Sequence, residues 1–227
     1  MEFKPSESNG VDSWKEVNLI YNSALKEIGT KLEILNDEFQ HVHFYNPIEH
    51  IKSRIKSPES IVKKLKKNGY ESIIENMVKY VNDIAGIRVI CSFTSDIYRI
   101  AEMLINQSDI KVISVKDYIQ TPKPSGYKSY HLIVTVPVFL SDRIVDTKVE
   151  IQIRTVAMDF WASLEHKIHY KFNTNVPEYI KSELVECAKM VAELDARMLG
   201  LNEQVQRLAQ MDEEEQEQAV SDEQKVV

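Results

Sequence analysis

The sequence has very few cysteines, which removes two classes of protein from consideration. Only Cys91 and Cys187 occur among its 227 residues, far apart and without a metal-type spacing. A disulfide framework and a cysteine-based zinc site are therefore excluded. We expect both residues to sit as small apolar side chains in a reducing compartment.

The chain also lacks long apolar runs and internal repeats. No stretch approaches the length of a membrane span, and residues 1–10 are polar, without the apolar run of a signal sequence. We therefore expect a soluble, cytoplasmic protein that does not enter a membrane.

The net charge of −7 is concentrated at one end of the chain. Residues 212–227 carry seven acids against Lys225, which leaves a net charge of −1 for the first 211 residues. We expect a single domain over residues 1–211, followed by an acidic, disordered tail over 212–227.

A cluster of basic residues stands out within this near-neutral body. It is interrupted by only one acid, Glu59. Such a run is either a solvated helix face or a site for polyphosphate or nucleic acid. Its members are Lys52, Arg54, Lys56, Lys63, Lys64, Lys66 and Lys67.

Apolar periodicity predicts helices at both ends of the chain. Residues 14–44 repeat apolar positions every three or four residues, and so do residues 178–210 after Pro177. The second pattern runs as a heptad seam from Leu184 to Leu208. Two such amphipathic helices favour self-association through helices.

The middle of the chain alternates between helix and strand signals. Ser57 and Pro58 predict the start of a helix that ends near residue 69. Further helices are expected over 72–81, over 96–106 with Thr94 or Ser95 as the cap, and over 155–172. Four strands are predicted, over 84–93, 111–119, 129–138 and 145–154.

The segment from Val149 to Arg154 carries the clearest sign of chemistry. Side chains alternate in a strand, so its three apolar residues face a core while Glu150, Gln152 and Arg154 share the opposite face. Asp83 lies just before the strand that contains Arg88. Two carboxylates on neighbouring strands can hold Mg²⁺ together with substrate phosphates, and arginines can clamp those phosphates. The other interpretation is an ordinary solvated face.

A loop between two predicted strands offers a stacking surface. Gly126 lets the backbone pass close to a ligand, and Tyr127 presents a flat ring to a base. Lys123 and Lys128 could hold phosphates beside it. Neither His166 nor His169 has the spacing of a zinc-binding helix.

Taken in order, these segments resemble the synthetase domain of the RelA/SpoT homologue family. Details around Asn46 and Thr121 are most similar to RelP-type small alarmone synthetases. The matching segments are 54–57, 83–88, 116–119, 125–131, 150–155, 157–161 and 165–166, within residues 15 to 200.

The resemblance implies an α/β (α+β) fold with a mixed sheet of about five strands flanked by helices, related to nucleotidyltransferases and assembled as a homotetramer. It implies transfer of pyrophosphate from ATP to the 3′-hydroxyl of GDP or GTP, with Mg²⁺ as cofactor. Asp83 and Glu150 would hold the metal, and Glu150 would also take the hydroxyl proton.

The resemblance also assigns the nucleotide contacts. For ATP these are Arg54 and Arg88 around the adenine, with Lys56 and Lys64 on the phosphates. For the acceptor they are Tyr127 on guanine, Lys123, Lys128 and His131 on phosphates, and Gln152 and Arg154 in support. We add Asp159, whose carboxylate could accept from N1–H and N2–H of guanine.

Two features limit the function. No His-Asp dipeptide occurs, and the chain is short for an added hydrolase, so we expect synthesis without hydrolysis. A non-catalytic module that binds nucleotide or RNA on the same fold is an alternative, as is an enzyme that attaches AMP. The pair Asp83 and Glu150 disfavours the RNA-binding module, because carboxylates oppose an RNA backbone.

Overall fold

The computed structural model describes residues 14–43, 45–171 and 176–224 of the chain. Within these ranges the chain folds into six helices and five strands. The helices are α1 (Trp14–His43), α2 (Pro58–Lys67), α3 (Ile74–Tyr80), α4 (Thr94–Ile105), α5 (Val156–Lys171) and α6 (Glu178–Gln224). The strands are β1 (Ile48–Ile55), β2 (Ala85–Cys91), β3 (Lys111–Asp117), β4 (Tyr130–Phe139) and β5 (Ile144–Thr155).

The five strands form one mixed sheet in the order β1-β2-β5-β4-β3. The β2 and β5 strands pair in parallel, and the other three pairings are antiparallel. The sheet and its flanking helices confirm the predicted fold class. Among the described helices, none combines the length and the apolar character that a membrane span requires.

One face of the sheet forms the core. Val149, Ile151 and Ile153 of β5 are fully buried, as the alternation predicts. Helices α1 and α4 pack on this face. The apolar side of α1 therefore lies inside the molecule, so self-association through terminal helices stays a prediction that now depends on α6.

The ends of two helices show how local chemistry sets their boundaries. Ser57 caps α2 as predicted, since its hydroxyl accepts from the backbone N–H of Ser60. The expected cap of α4 by Thr94 or Ser95 is wrong. The helix already begins at Thr94, and Asp96 accepts from the backbone N–H of Phe93.

Strand β1 was not among the strands predicted from the sequence. Its more buried residues, Ile48, Ile51 and Ile55, are three and four positions apart, which is a helical spacing. An edge strand is covered incompletely, so its apolar pattern need not alternate.

Helix α6 differs from its predicted extent. It runs to Gln224, beyond residue 211, so a helix stands where the sequence analysis expects a disordered segment. Residues 212–224 are rich in Glu and Gln, with one Ala. These are strong helix formers, and an acidic polar composition alone does not distinguish a solvated helix from disorder. Residues 225–227 lie outside the described ranges.

The loop between β3 and β4 is held against α6 at Gly126. This residue has φ of +88°, and a Cβ there would lie 2.4 Å from the Cβ of Ala188. Gly69 has a similar φ of +80°, but a Cβ there would meet nothing within 4 Å. Substitution of Gly69 therefore introduces backbone strain alone, whereas substitution of Gly126 introduces backbone strain and steric overlap.

We predict that Gly126→Ala lowers the free energy of unfolding by more than Gly69→Ala does. Gly69→Ala should cost about 1–2 kcal/mol from the left-handed backbone alone. Gly126→Ala should cost about 1–3 kcal/mol more, because the loop or α6 must move. Denaturant unfolding measures both variants.

The double variant Gly126→Ala with Ala188→Gly provides the control for this comparison. It removes the overlapping atom, so it should lose less stability than the sum of the losses of Gly126→Ala and Ala188→Gly measured separately. Equal losses of unfolding free energy in Gly126→Ala and Gly69→Ala would show that Gly126 is required for its backbone conformation only.

Candidate active site

Two rows of side chains cross the sheet on the face opposite α1. Adjacent members of each row are paired residues on neighbouring strands. The first row is Arg54, Gly86, Glu150, Ile133 and Ser114, and the second is Lys52, Arg88, Gln152, His131 and Lys116. Residues that are up to 100 positions apart in sequence thus form one polar surface.

A cavity of about 520 Å³ lies over these rows. Eight of the thirteen predicted site residues line it: Arg54, Lys64, Asp83, Lys123, Tyr127, His131, Glu150 and Gln152. An adjoining cavity of about 290 Å³ shares Arg54, Glu150 and Gln152 and adds Arg88. The structure therefore brings most of the predicted donor, acceptor and metal residues to one place.

Asp83 is held between two lysines. Lys56 Nζ lies 2.7 Å from one carboxylate oxygen of Asp83, and Lys64 Nζ lies 2.8 Å from the other. Burial by itself raises the pKa of Asp83, but the hydrogen bonds and charges of the two lysines outweigh it and hold the pKa below its usual value. Asp83 is thus a carboxylate at neutral pH.

Tyr127 belongs to a cluster of aromatic and basic groups. Its hydroxyl lies 2.9 Å from His131 Nε2, and Lys123 Nζ is 4.7 Å from its ring centroid. Burial, followed by the charges of Arg154, Lys123 and Lys116, lowers the pKa of His131 to about 3. His131 is therefore neutral at pH 7 and can contribute hydrogen bonds, but no positive charge, to a bound phosphate.

Arg154 is buried behind the cavity, with 4% of its surface exposed. Its guanidinium donates to the Tyr127 hydroxyl, to Gln152 Oε1 at 3.1 Å and to Asp159 Oδ1 at 3.0 Å. Gln152 in turn donates to Glu150 at 3.0 Å. Arg154 therefore supports the residues that line the cavity, and it does not line the cavity itself.

Asp159 and Lys128 lie outside the main cavity. Asp159 Oδ1 is already engaged by Arg154 and by Arg88 Nη1 at 3.1 Å. This placement disagrees with a direct contact to guanine. Lys128 lines a separate, mostly apolar cavity beside α6 with Asp195. The alternation in the extended segment explains this, because Lys128 points away from the side of Tyr127 and His131.

Comparison with known proteins identifies the family to which this arrangement belongs. Residues 53–175 match the family described as a region found in RelA/SpoT proteins. The chain belongs to the RelA/SpoT family. The matched segment contains every predicted site residue.

Individual members of the RelA/SpoT family are similar over most of their length. GTP pyrophosphokinase YwaC of Bacillus subtilis is 51% identical over 195 residues, which cover 86% of this chain and 93% of that protein. The structure of small alarmone synthetase 2 from Bacillus subtilis has a TM-score of 0.77 at 50% identity, over 84% of this chain and 99% of that one. Small alarmone synthetase 1 from Bacillus subtilis, bound to its product pppGpp, has a TM-score of 0.78 at 35% identity, over 85% and 98% of the two chains.

This RelA/SpoT site contains residues to which the sequence analysis gave no role. Ser114, Lys116 and Tyr118 also line the main cavity, and their period-two spacing on and beside β3 could have revealed this. Lys148 is a different case. Its Nζ donates to the carbonyl oxygen of Lys79 at 2.8 Å and thereby fixes the end of α3, just before Asp83. No sequence pattern signals that contact.

The donor set of this RelA/SpoT site fits a hard cation bound together with a nucleotide. Asp83 and Glu150 supply only oxygen atoms. In the described part of the chain, no three His, Cys, Asp or Glu side chains form a group that could hold a metal. Further ligands would have to come from water and substrate phosphates, as Mg²⁺ prefers.

We predict that the neutral state of His131 makes the protein less stable as the pH falls. Between about pH 6.5 and 3 the unfolded chain takes up a proton at this residue, which the folded chain does not bind. The free energy of unfolding must therefore decrease over that interval. His131→Asn should flatten this decrease, as measured by denaturant unfolding from pH 7 to 4.

His50→Asn is the matched control, because His50 is exposed on the edge strand. It should keep the wild-type pH dependence. An unchanged slope in His131→Asn would show that other groups cause the loss of stability.

Proposed function

We propose that this chain is a GTP pyrophosphokinase, a small alarmone synthetase that makes (p)ppGpp. The 3′-hydroxyl oxygen of GDP or GTP attacks the β-phosphorus of ATP, the bond from that phosphorus to the α-phosphate oxygen breaks, and AMP leaves. The observation that carries this proposal is the single cavity in which Asp83 and Glu150 face a surround of cations and Tyr127. The similar GTP pyrophosphokinase from Bacillus subtilis supports it.

On the donor side, Arg54 and Arg88 would hold the adenine. They lie on the neighbouring strands β1 and β2 and line the adjoining cavity together. Lys56 and Lys64 would contact the phosphates. Both lysines are paired with Asp83, so bound phosphate would take over their charge and release the carboxylate.

Asp83 and Glu150 would bind Mg²⁺ together with the ATP phosphates. The ion, when bound, neutralises charge on the transferring group. The protein contributes two carboxylates: Glu150 on β5, directly opposite Gly86 of β2 in the parallel pairing, and Asp83 just before β2 begins. Gln152 restrains Glu150 by a hydrogen bond of 3.0 Å.

Glu150 would also take the proton of the attacking hydroxyl. A carboxylate within hydrogen-bond reach of a hydroxyl can act as a general base. Glu150 has a side chain that is 17% exposed and lies 3.7 Å from the neutral His131, so no permanent cation competes for it there.

On the acceptor side, Tyr127 would stack on guanine. Lys123 would hold phosphates by charge, His131 by hydrogen bonds, and Gln152 and Arg154 would support the tyrosine and the base. Lys116 joins this set, since it lines the same cavity. Lys128 does not, because it lies beside α6.

The synthetase is favoured over a non-catalytic RNA-binding module. A groove for RNA gains nothing from Asp83 and Glu150 at its centre, since both repel a phosphate backbone. RNA binding nevertheless stays a prediction, because Lys63, Lys66 and Lys67 of α2 are exposed. Synthesis without hydrolysis and location in the cytoplasm also stay predictions.

Assembly as a homotetramer is the remaining part of the proposal. The outer face of α6 exposes a continuous apolar stripe, and Leu201 is 54% exposed within it. An apolar stripe of this length on a soluble protein indicates an interface. The stripe consists of Met190, Leu194, Met198, Leu201, Val205, Leu208 and Met211.

We predict that Glu150→Gln lowers turnover by about a hundredfold or more, the range for a positioned general base. Chromatography after incubation with ATP, GTP and Mg²⁺ should show AMP and a pyrophosphorylated guanosine nucleotide for the wild type. Glu102→Gln makes the same change at an exposed residue of α4 and should retain full activity.

Two outcomes would contradict this assignment. Free pyrophosphate in place of AMP would indicate an enzyme that attaches AMP. Near-normal turnover of Glu150→Gln would remove Glu150 from the mechanism.

We predict that Leu201→Glu dissociates the oligomer, because it places a charge in the apolar stripe. Light scattering should give roughly four times the chain mass of 26.3 kDa for the wild type and a smaller mass for the variant. Gln206→Glu adds the same charge about 140° away on α6 and should leave the mass unchanged. A wild-type mass near that of one chain would exclude the assembly.

A further inference from the structure

One carboxylate joins the two halves of the site. Asp159 Oδ1 lies 3.1 Å from Arg88 Nη1 and 3.0 Å from Arg154 Nη1. The Asp159 side chain is 14% exposed and that of Arg154 is 5% exposed. A single oxygen atom, largely shielded from water, therefore fixes two guanidinium groups at once.

The Arg154 end of this bridge leads to the acceptor side. Arg154 donates to the hydroxyl of Tyr127, and its Cζ lies 4.9 Å from the Tyr127 ring centroid. Ser129 and Gln152 take further N–H groups of the same guanidinium. The orientation of the tyrosine ring therefore depends on the position of Arg154.

The Arg88 end leads to the donor side. Arg88 lines the smaller cavity with Arg54, and its Nε is buried without a hydrogen-bond partner among the described residues. Asp159 forms the ion pair that restrains this guanidinium, at 3.1 Å from Nη1. A base can stack on the flat side of Arg88 while this ion pair is kept.

We infer that Asp159 is a positioning residue that couples the two nucleotide sites through the chain Arg88–Asp159–Arg154–Tyr127. This inference rests on the proposed function, because it takes the cavities as donor and acceptor sites. In this role Asp159 contacts neither base directly. Through Asp159, the conformational freedom of the Tyr127 ring depends on that of the Arg88 guanidinium.

The expected sign of the coupling is positive. A nucleotide on Arg88 restrains Asp159, and Asp159 then restrains Arg154 and the ring of Tyr127. The second nucleotide meets a stacking surface that is already ordered, so it loses less conformational entropy on binding. Linkage requires the same factor in both directions.

Calorimetric titration tests the coupling directly. GTP is titrated into the full-length protein with and without a saturating non-hydrolysable ATP analogue and Mg²⁺. For the wild type we expect the analogue to raise GTP affinity about fivefold or more, the lower end of ordinary coupling factors. For Asp159→Asn, which keeps the shape but loses the charge, we expect a factor below about two. The reverse titration should give matching factors.

Two comparisons separate positioning from other roles. Asp109→Asn removes a carboxylate from an ion pair with Lys31, outside both cavities, and should keep the wild-type coupling. Inosine triphosphate lacks the 2-amino group of guanine. If Asp159 contacted guanine directly, Asp159→Asn would lower the preference for GTP over inosine triphosphate, whereas the coupling role leaves that preference unchanged.

The possible failures can be told apart. If the wild type binds neither nucleotide, the proposed function is wrong. If it binds both, and Asp159→Asn folds and retains the wild-type coupling factor, the coupling role of Asp159 is wrong. If Asp159→Asn does not fold, Arg154→Lys replaces it as the test. Lysine keeps the charge but cannot make all four contacts of Arg154. The coupling role requires that this variant lowers the coupling factor.

Discussion

The strict alternation of strand β5 is the constraint on which the rest of this structure depends. Its odd-numbered residues Val149, Ile151 and Ile153 are fully buried against the core. The even-numbered residues Glu150 and Gln152 therefore face the cavity. A shift by one residue in pairing would reverse both faces, so burial of the apolar side chains also fixes the register that aligns the functional ones with β2 and β4.

The charges of the site follow a second constraint, which is that buried ions need partners. Asp83 pairs with both Lys56 and Lys64, and Asp159 pairs with both Arg88 and Arg154. Each carboxylate occupies a position from which it satisfies cations suited to phosphate or base contacts. The carboxylates and cations of the site thereby have partners within the chain, and an incoming polyphosphate would take over Lys56 and Lys64 from Asp83.

Many elements of the fold and residues of the candidate site could be predicted from the sequence, because they depend on patterns within short segments. The strand from Val149 to Arg154 and the cap at Ser57 depend on residue pattern alone, and the order of motifs identified the family. Strand β1 was missed because Ile48, Ile51 and Ile55 follow a helical spacing at a sheet edge. Lys128 was expected to hold acceptor phosphates with the other residues of its loop, although alternation from Tyr127 already places it on the opposite side, where it lines the cavity beside α6.

Other features depend on contacts between distant segments and have no local signal. The bridge from Asp159 to Arg88 spans 71 positions in sequence, and Lys148 reaches the end of α3 across 69 positions. From its chemistry alone, Asp159 is expected to be a carboxylate available to guanine. Only the packing of α5 against the sheet shows that two arginines already contact it.

Helix α6 connects the exposed apolar stripe with the loop that carries Tyr127. Its inner face contacts the loop between β3 and β4, where Gly126 meets Ala188. Asp195 on the same helix accepts a hydrogen bond from Thr155 at the end of β5. Its outer face carries the exposed apolar stripe. The two faces are separated by one helix diameter, about 10 Å. In the proposed assembly, a partner that shifted α6 would therefore act on the backbone beside Tyr127 with no intervening element.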